Sequence, residues 1–293
     1  MKTDDQIRHF KPRIQADLSW LVNSPDLLSV SVASNKLSIP LINASDLIVK
    51  AEPLDTLDLS SVPHQLGRYF EKLWFNVVRQ QPDIEVLHEN LQLQDNKQTI
   101  GEFDAILRRI QKQLTLHCEL AVKFYLNVGD GKNLSDWVGP NRNDRLDIKY
   151  NHLISHQLIL SRHLNPIINI NYNPLPIDLI GLFSRGRLYY PYEQYIHGDF
   201  NYPDEVNATH LKGFWVSEEC FEQISRENNQ VQWYVLPKSH WLANIRSEDL
   251  ADLGQYQPPL NRSYIQVACI RENKELSRGF VVSEKWISKA QNL

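Results

Sequence analysis

The sequence predicts an α/β protein, and three observations along the chain lead to this class. Apolar residues recur at helical spacing in QLGRYFEKLWFNVVRQQP (65–82), and three segments of alternating apolar and polar residues follow. A second helical pattern occupies RLDIKYNHLISHQLILSRHLNP (145–166), and the remaining chain carries tryptophan and tyrosine in strand-like segments. Helices and strands in this order are typical of a sheet covered by helices.

Composition limits the class of protein. At 293 residues, with 42% hydrophobic and 23% charged residues, the chain resembles a soluble globular protein with a sizeable core. The three cysteines, Cys118, Cys220 and Cys269, fit neither a disulfide framework nor a Cys-x-x-Cys metal site, which suggests a reducing compartment. There is no apolar signal region at the N-terminus and no run of about eighteen apolar residues. We therefore expect a cytoplasmic protein without a membrane partner, and protein partners are not identifiable.

The first predicted helix lies in the segment 65–82. Its apolar stripe ends before Pro82, and Glu71 falls on the flank of that stripe. Residues 1–60 mix short apolar groups with turn signals and predict an N-terminal extension of helices and loops.

Three predicted strands follow this helix: VLHENLQLQ (86–94), IGEFDAIL (100–107) and HCELAVKFYL (117–126). Short connections between them favour an antiparallel meander. Glu102 and Asp104 share one face of the second strand, and Glu119 and Lys123 share the polar face of the third.

The second predicted helix carries a basic stripe. At 3.6 residues per turn, one face holds Arg145, Lys149, His152, His156 and His163. Because the formal net charge of −4 excludes a protein that is basic all over, contact with nucleic acid needs a local patch of this kind. The candidate contact residues are Arg145, Lys149, His152, His156 and Gln157, and a solvated helix face without function is the alternative.

The chain after this helix predicts mainly strands. IDLIGLF (177–183) and RLYYPYE (187–193) flank SRGR (184–187), which predicts a hairpin and a further basic patch. We divide the chain into the extension of residues 1–60, a core of residues 61–195 and a β-rich C-terminal extension of residues 196–293.

The predicted elements gather four acids and a lysine near one sheet face. Carboxylate oxygens suit hard divalent ions such as Mg²⁺ or Mn²⁺, and such ions promote hydrolysis of phosphodiesters. A nearby lysine can orient the attacking water. A solvent-facing strand with an ion pair of no function is the alternative interpretation of Glu119 and Lys123.

Three segments, LGRYFEKLW, GEFDAI and HCELAVKFYL, occur in this order ahead of the second helix. They resemble the helix acid, the G-E-x-D strand and the (D/E)-x-K strand of the PD-(D/E)XK nuclease superfamily. The chain more closely resembles an uncharacterised bacterial domain-of-unknown-function family placed in that superfamily, through GRYFEKL, GEFDAI, ELAVKFYL, GPNRNDRLDIK and HQLILS.

The resemblance implies a restriction-endonuclease-like core, with a central mixed sheet flanked by helices, and a nuclease that cleaves DNA or RNA with Mg²⁺ or Mn²⁺. It implies that Asp104 and Glu119 bind the metal and that Lys123 is the catalytic lysine. Glu71 would complete the catalytic and metal-binding set from the helix, and Glu102 would be an auxiliary metal ligand.

The sequence departs from the superfamily pattern at the lysine. Three residues separate Glu119 from Lys123, and Ala121 occupies the expected lysine position. Lys123 stays on the same face, displaced by about 6.6 Å, and its long side chain is expected to reach back. The displacement supports a rival function: a catalytically inactive nuclease-fold protein that binds nucleic acid or a protein partner.

Overall fold

A computed structural model of the chain describes residues 4–35, 37, 40–48, 65–95, 98–160, 169–170, 173–174, 176–227, 230–260 and 262–290. The helices are α1 (Asp4–Asn23), α2 (Val30–Ser34), α3 (Leu66–Val78), α4 (Leu146–His152), α5 (Tyr192–His197), α6 (Glu218–Glu227) and α7 (Glu284–Ala290). A π-helical segment, Leu153–Gln157, continues α4. None of the described helices is long and apolar enough to cross a membrane.

Twelve strands occur in the described ranges. They are β1 (Leu41–Asn43), β2 (Ile84–Asp95), β3 (Gln98–Arg109), β4 (Leu114–Asn127), β5 (Trp137–Val138), β6 (Asn169–Ile170), β7 (Asn173–Pro174), β8 (Leu179–Pro191), β9 (Leu211–Ser217), β10 (Gln232–Leu236), β11 (Tyr264–Arg271) and β12 (Lys274–Val282).

Ten of these strands form one mixed sheet. Eight follow the order β10-β11-β12-β9-β8-β4-β3-β2, while β1 pairs with β8 and β5 with β4. β8 runs parallel to β1, β4 and β9, whereas β2, β3 and β4 are successively antiparallel. The predicted α/β class and the predicted meander are therefore confirmed.

Successive side chains of a strand point to opposite faces of the sheet, and both faces of β4 are covered by other residues of the protein. Phe124 and Leu126 of β4 pack in the cluster that contains residues of α1, α3 and α7. Tyr125, which lies between them in sequence, packs in a second cluster with Leu146 and Tyr150 of α4. A strand buried on both sides needs apolar or partnered polar residues on both faces, and β4 has both kinds.

The hairpin predicted at SRGR is wrong, because β8 runs unbroken through it. Arg185 is buried and donates to Asp26 Oδ1 at 2.6 Å, and Arg187 donates to the carbonyl of Lys212 at 2.7 Å. Because both guanidinium groups form hydrogen bonds within the protein, neither arginine has to lie in a turn exposed to solvent. Gly186 has φ 154°, and a side chain there would collide with the carbonyl oxygen of Lys123 on β4. SRGR therefore forms no exposed basic patch.

Residues from all three predicted divisions contribute to one buried cluster. Leu18 from the first, Trp74 from the second and Trp286 from the third all belong to it. The sheet likewise continues across residue 195, since β8 pairs with β9. The division at residues 60 and 195 stays a prediction.

Candidate functional site

Asp104 lies where strands β3 and β4 stop pairing through their backbones. The register between them runs from Arg109↔Leu114 to Ala105↔Cys118. Beyond that pair, the N–H of Leu120 on β4 donates to Asp104 Oδ2 at 2.8 Å. A carboxylate thus replaces a backbone carbonyl as the acceptor, and the strands are joined there by a charged side chain.

Glu119 lies beside this point on β4 and is 1% exposed. Its Oε1 is 2.7 Å from Nε2 of His117, and its Oε2 accepts from the side-chain amide of Gln157 at 2.7 Å. His117 is fully buried, and its Nδ1 has no hydrogen-bond partner. The tautomer with its proton on Nε2 leaves only a lone pair unsatisfied, so we assign His117 as a donor to Glu119.

The π-helical segment places Gln157 against Glu119. The N–H of Leu158 donates to the carbonyl of Leu153 at 2.9 Å, which is the i→i+5 bond of a π turn. Gln157 also accepts at Oε1 from Nζ of Lys149 at 2.7 Å. One amide therefore connects Lys149 of α4 with Glu119 of β4.

Lys123 makes a different contact from the one expected. Its Nζ forms an ion pair with Asp144, and the hydroxyl of Tyr125 donates to the same Asp144 oxygen at 3.2 Å. The side chains of Lys123 and Asp144 are 31% and 29% exposed. The lysine remains on the face of Glu119, but its ammonium group is paired with a loop acid.

Glu71 of α3 approaches the same region. Burial, followed by the charges of Asp104 and Glu102, raises the pKa of Glu71 to about 7. Glu102 on β3 accepts from the side chain of Gln92 at 3.2 Å and is partly exposed. The helix acid and the strand acids are therefore electrostatically coupled, as their order in the sequence predicts.

Burial governs the ionisation of the strand residues. It raises the pKa of Asp104 to about 7, with the charge of Glu119 adding to the effect. It also raises the pKa of Glu119 to about 8, while the charge of Lys149 acts in the opposite direction. Burial lowers the pKa of His117 to about 3, which keeps this ring neutral. We call Glu71, Asp104 and Glu119 the acid cluster.

The acid cluster has the donor chemistry for a hard divalent ion. Among the described residues, no three His, Cys, Asp or Glu side chains are close enough to hold a metal ion by themselves. Mg²⁺, however, is usually held by one or two carboxylates and completes its shell with water or phosphate oxygens. Asp104 and Glu119 fit that requirement, and burial, the main cause of their raised pKa values, disfavours negative charges that a bound cation would offset.

The residues of the predicted basic stripe differ in burial. Lys149 and Gln157 are partly buried at the acid cluster, whereas His152 and His156 are exposed, with their rings stacked 4.8 Å apart. Arg145 pairs with Asp147 at 2.6 Å. Lys149 and His152 both lie in α4 ahead of the π turn, and they differ in burial because Lys149 donates inward to Gln157. Contact of the predicted residues with nucleic acid stays a prediction, and His163 lies outside the described residues.

Two polar partners of the site were absent from the predicted set. His117 lies two residues before Glu119, and the alternation in HCELAVKFYL already puts it on the same face. Asp144 lies in the loop between β5 and α4, where no periodic pattern marks it. Its pairing with Lys123 is visible only in three dimensions.

Comparison with known proteins gives a family. A family model described as "Domain of unknown function (DUF1853)" matches residues 16–282, which include the acid cluster and every strand of the large sheet. No curated protein and no solved structure matches the chain.

Proposed function

The chain belongs to the DUF1853 family, and from this premise we propose that it is a metal-dependent nuclease that hydrolyses phosphodiester bonds of DNA or RNA. The acid cluster carries the proposal. Burial raises the pKa values of three carboxyl groups from α3, β3 and β4, and a neighbouring acid adds to the effect at each of them. Clusters of this kind are more frequent at functional sites than elsewhere.

The element order supports a PD-(D/E)XK-like core. Helix α3 carries Glu71, the antiparallel strands β2, β3 and β4 follow, and α4 then leads to β8, which runs parallel to β4. This order agrees with the sequence resemblance and supports the proposal of a metal site at the acids.

In the proposed reaction, a water oxygen bonds to phosphorus while the bond from phosphorus to one ester oxygen breaks. One water proton ends on the leaving oxygen, so the products are a phosphomonoester end and a hydroxyl end. Bound Mg²⁺ or Mn²⁺ would lower the pKa of water and offset charge on the phosphoryl group.

The chain's own residues have separate parts in this reaction. Asp104 and Glu119 would hold the ion, and Glu102 would assist them at the exposed edge. Glu71, with a pKa of about 7, is suited to exchange a proton with water at neutral pH. His117 and Gln157 would fix the orientation of Glu119 through their hydrogen bonds.

The rival function is a catalytically inactive protein that uses the same fold to bind nucleic acid or a protein partner. Its support is the ion pair of Lys123 with Asp144, which uses the lysine of the sequence motif in a contact within the protein. A structural network of this kind needs no metal ion.

Thermal unfolding with divalent ions tests the proposal. The wild-type chain and Asp104→Asn are each titrated with Mn²⁺ and Mg²⁺, and cleavage of a panel of DNA and RNA substrates is then measured. An amide at position 104 still accepts from Leu120, so the strand contact survives while the charge is lost. We expect Tm to rise with ion concentration for wild type alone, and cleavage by the variant to fall about 100-fold or more.

Asp199→Asn, which changes an exposed acid after α5, is the matched control and should behave as wild type. Undiminished cleavage by Asp104→Asn would remove the acid cluster from the reaction. Equal responses of wild type and Asp104→Asn to both ions, with no cleavage, would favour the rival function.

A further inference from the structure

Two lysines lie near the acid cluster, and they differ in what holds them. Lys123 of β4 is paired with Asp144, an acid of the loop before α4. Lys149 of α4 donates to the neutral amide of Gln157, and the structure gives it no ion pair among the described residues. A full ion pair offsets the charge of a lysine, whereas a hydrogen bond to an amide leaves that charge available.

The contacts of Lys149 lead directly to a proposed metal ligand. Its Nζ is 2.7 Å from Gln157 Oε1, and Gln157 Nε2 is 2.7 Å from Glu119 Oε2. The side-chain amide of Gln157 accepts from Lys149 through Oε1 and donates to Glu119 through Nε2. A flipped amide would break both hydrogen bonds, so only one orientation is possible. His117 contacts the other oxygen of Glu119. Both carboxylate oxygens are therefore held in place, one by His117 and one by Gln157.

The charge of Lys149 also acts on the acid cluster through space. It lowers the pKa of both Glu119 and Asp104. Burial, followed by the charge of Lys123, lowers the pKa of Lys149 itself. The ammonium group is thus partly removed from water, where a charge has a larger effect on its neighbours.

We infer that Lys149, and not Lys123, is the positioning lysine of the acid cluster, acting with Gln157 on Glu119 and on the phosphodiester of the substrate. This inference rests on the proposed function. An ammonium group has three N–H donors, and one from Lys149 goes to Gln157. The remaining donors would orient water or contact a phosphoryl oxygen as negative charge develops there.

Matched substitutions of the two lysines test the inference. Lys149→Met and Lys123→Met each keep most of the unbranched side chain and remove its charge, and Lys149→Arg restores a charge. Two quantities are measured on the full chain: cleavage of the substrate panel, and Mn²⁺ affinity from calorimetric titration without substrate.

We expect Lys149→Met to lower cleavage about 100-fold and to bind Mn²⁺ about threefold to tenfold more tightly, because a cation is removed from beside the acids. Lys149→Arg should return the Mn²⁺ affinity to within about twofold of wild type. Lys123→Met should lower cleavage much less than Lys149→Met does, because the charge of Lys123 is offset by Asp144. A purely structural lysine would not produce opposite changes in cleavage and metal affinity.

Several results would overturn the inference. Loss of cleavage in Lys123→Met with full cleavage in Lys149→Met would reverse the assignment and leave the proposed function intact. Unchanged Mn²⁺ affinity in a folded Lys149→Met would show that its charge does not act on the cluster. Absence of cleavage by wild type in every substrate and ion condition would overturn the proposed function together with the inference.

Discussion

The carboxyl group of Asp104 is more easily protonated in the folded chain than in the unfolded one. Its pKa is raised from 3.8 to about 7, first by burial and then by Glu119. A raised pKa stabilises the folded state below the unfolded value, and this stabilisation is lost as pH rises towards the folded value. Relative to Asp104→Asn, wild type should therefore lose about 2 to 4 kcal/mol between about pH 4 and pH 7.

Urea unfolding at several pH values measures this difference. The control is Asp199→Asn, which changes an exposed acid outside the acid cluster. Parallel curves for wild type and Asp104→Asn would show that Asp104 titrates normally, and its place in the acid cluster would then be wrong.

Individual site residues were predictable where a periodic pattern marks them. Alternation along β3 and β4 gives the faces of Asp104 and Glu119, and the helical stripe of α3 gives the flank position of Glu71. Lys149 and Gln157 were also singled out, but as surface contacts to nucleic acid. In the structure they form hydrogen bonds that lead to Glu119. No pattern in the sequence distinguishes a lysine that faces an acid from one that faces solvent.

Helix α3 attaches Glu71 to the sheet through a face of buried aromatic residues. Trp74 is fully buried, and its indole N–H has no hydrogen-bond partner. Its contribution to stability should therefore come from packing. We expect Trp74→Ala to lower the free energy of unfolding by about 3 to 5 kcal/mol and Trp74→Phe by less than about 2 kcal/mol.

Chemical denaturation of the two variants measures both values. Phe75→Ala, on the same helix, is a second buried truncation for comparison. Equal losses for Trp74→Phe and Trp74→Ala would mean that the indole N–H makes a stabilising bond, and packing alone would not explain the attachment of α3.

The elements with strong periodicity were predicted closely, and the errors occur where charged residues are buried. The pattern in 65–82 predicts α3, and the alternating segments predict β2, β3 and β4. SRGR was predicted as a turn because this short polar segment lies between two strand-like segments. Asp26 lies far away in sequence and becomes a partner of Arg185 only after folding.

Helix α1 is joined by buried polar contacts to the segment between β10 and β11. Arg13 of α1 donates to the carbonyls of Ala243 and Asn244, at 2.7 Å and 3.2 Å, and pairs with Asp249. Asp17 of α1 accepts from the N–H of Ala243 at 3.1 Å. Contacts between residues so distant in sequence make the first helix part of the same cooperative structure as the C-terminal strands.

Arg13→Met should therefore weaken the whole molecule. It leaves buried Asp17 and Asp249 without this cation, and we expect a loss of about 3 to 5 kcal/mol in the free energy of unfolding. Asp17→Asn in the same chain should recover part of this loss, because a buried charge is then removed.

Unfolding of these variants is followed by tryptophan fluorescence and by circular dichroism. A single transition with coincident midpoints is the expected result. Separate transitions would show instead that the predicted divisions at residues 60 and 195 are independent folding units.

The π turn after α4 also makes the site sensitive to how this helical segment is wound. A π turn is an α-helix that has gained one residue, and the gain rotates everything beyond it by about 100°. Lys149 and Gln157 are eight positions apart and meet because of this extra residue. If the same residues formed a regular α-helix, Gln157 would be rotated by about 100° and would lose its contact with Glu119, although every site residue would remain in the sequence. For this protein, the winding of a short helical segment is therefore as much a part of the site as the identities of its residues.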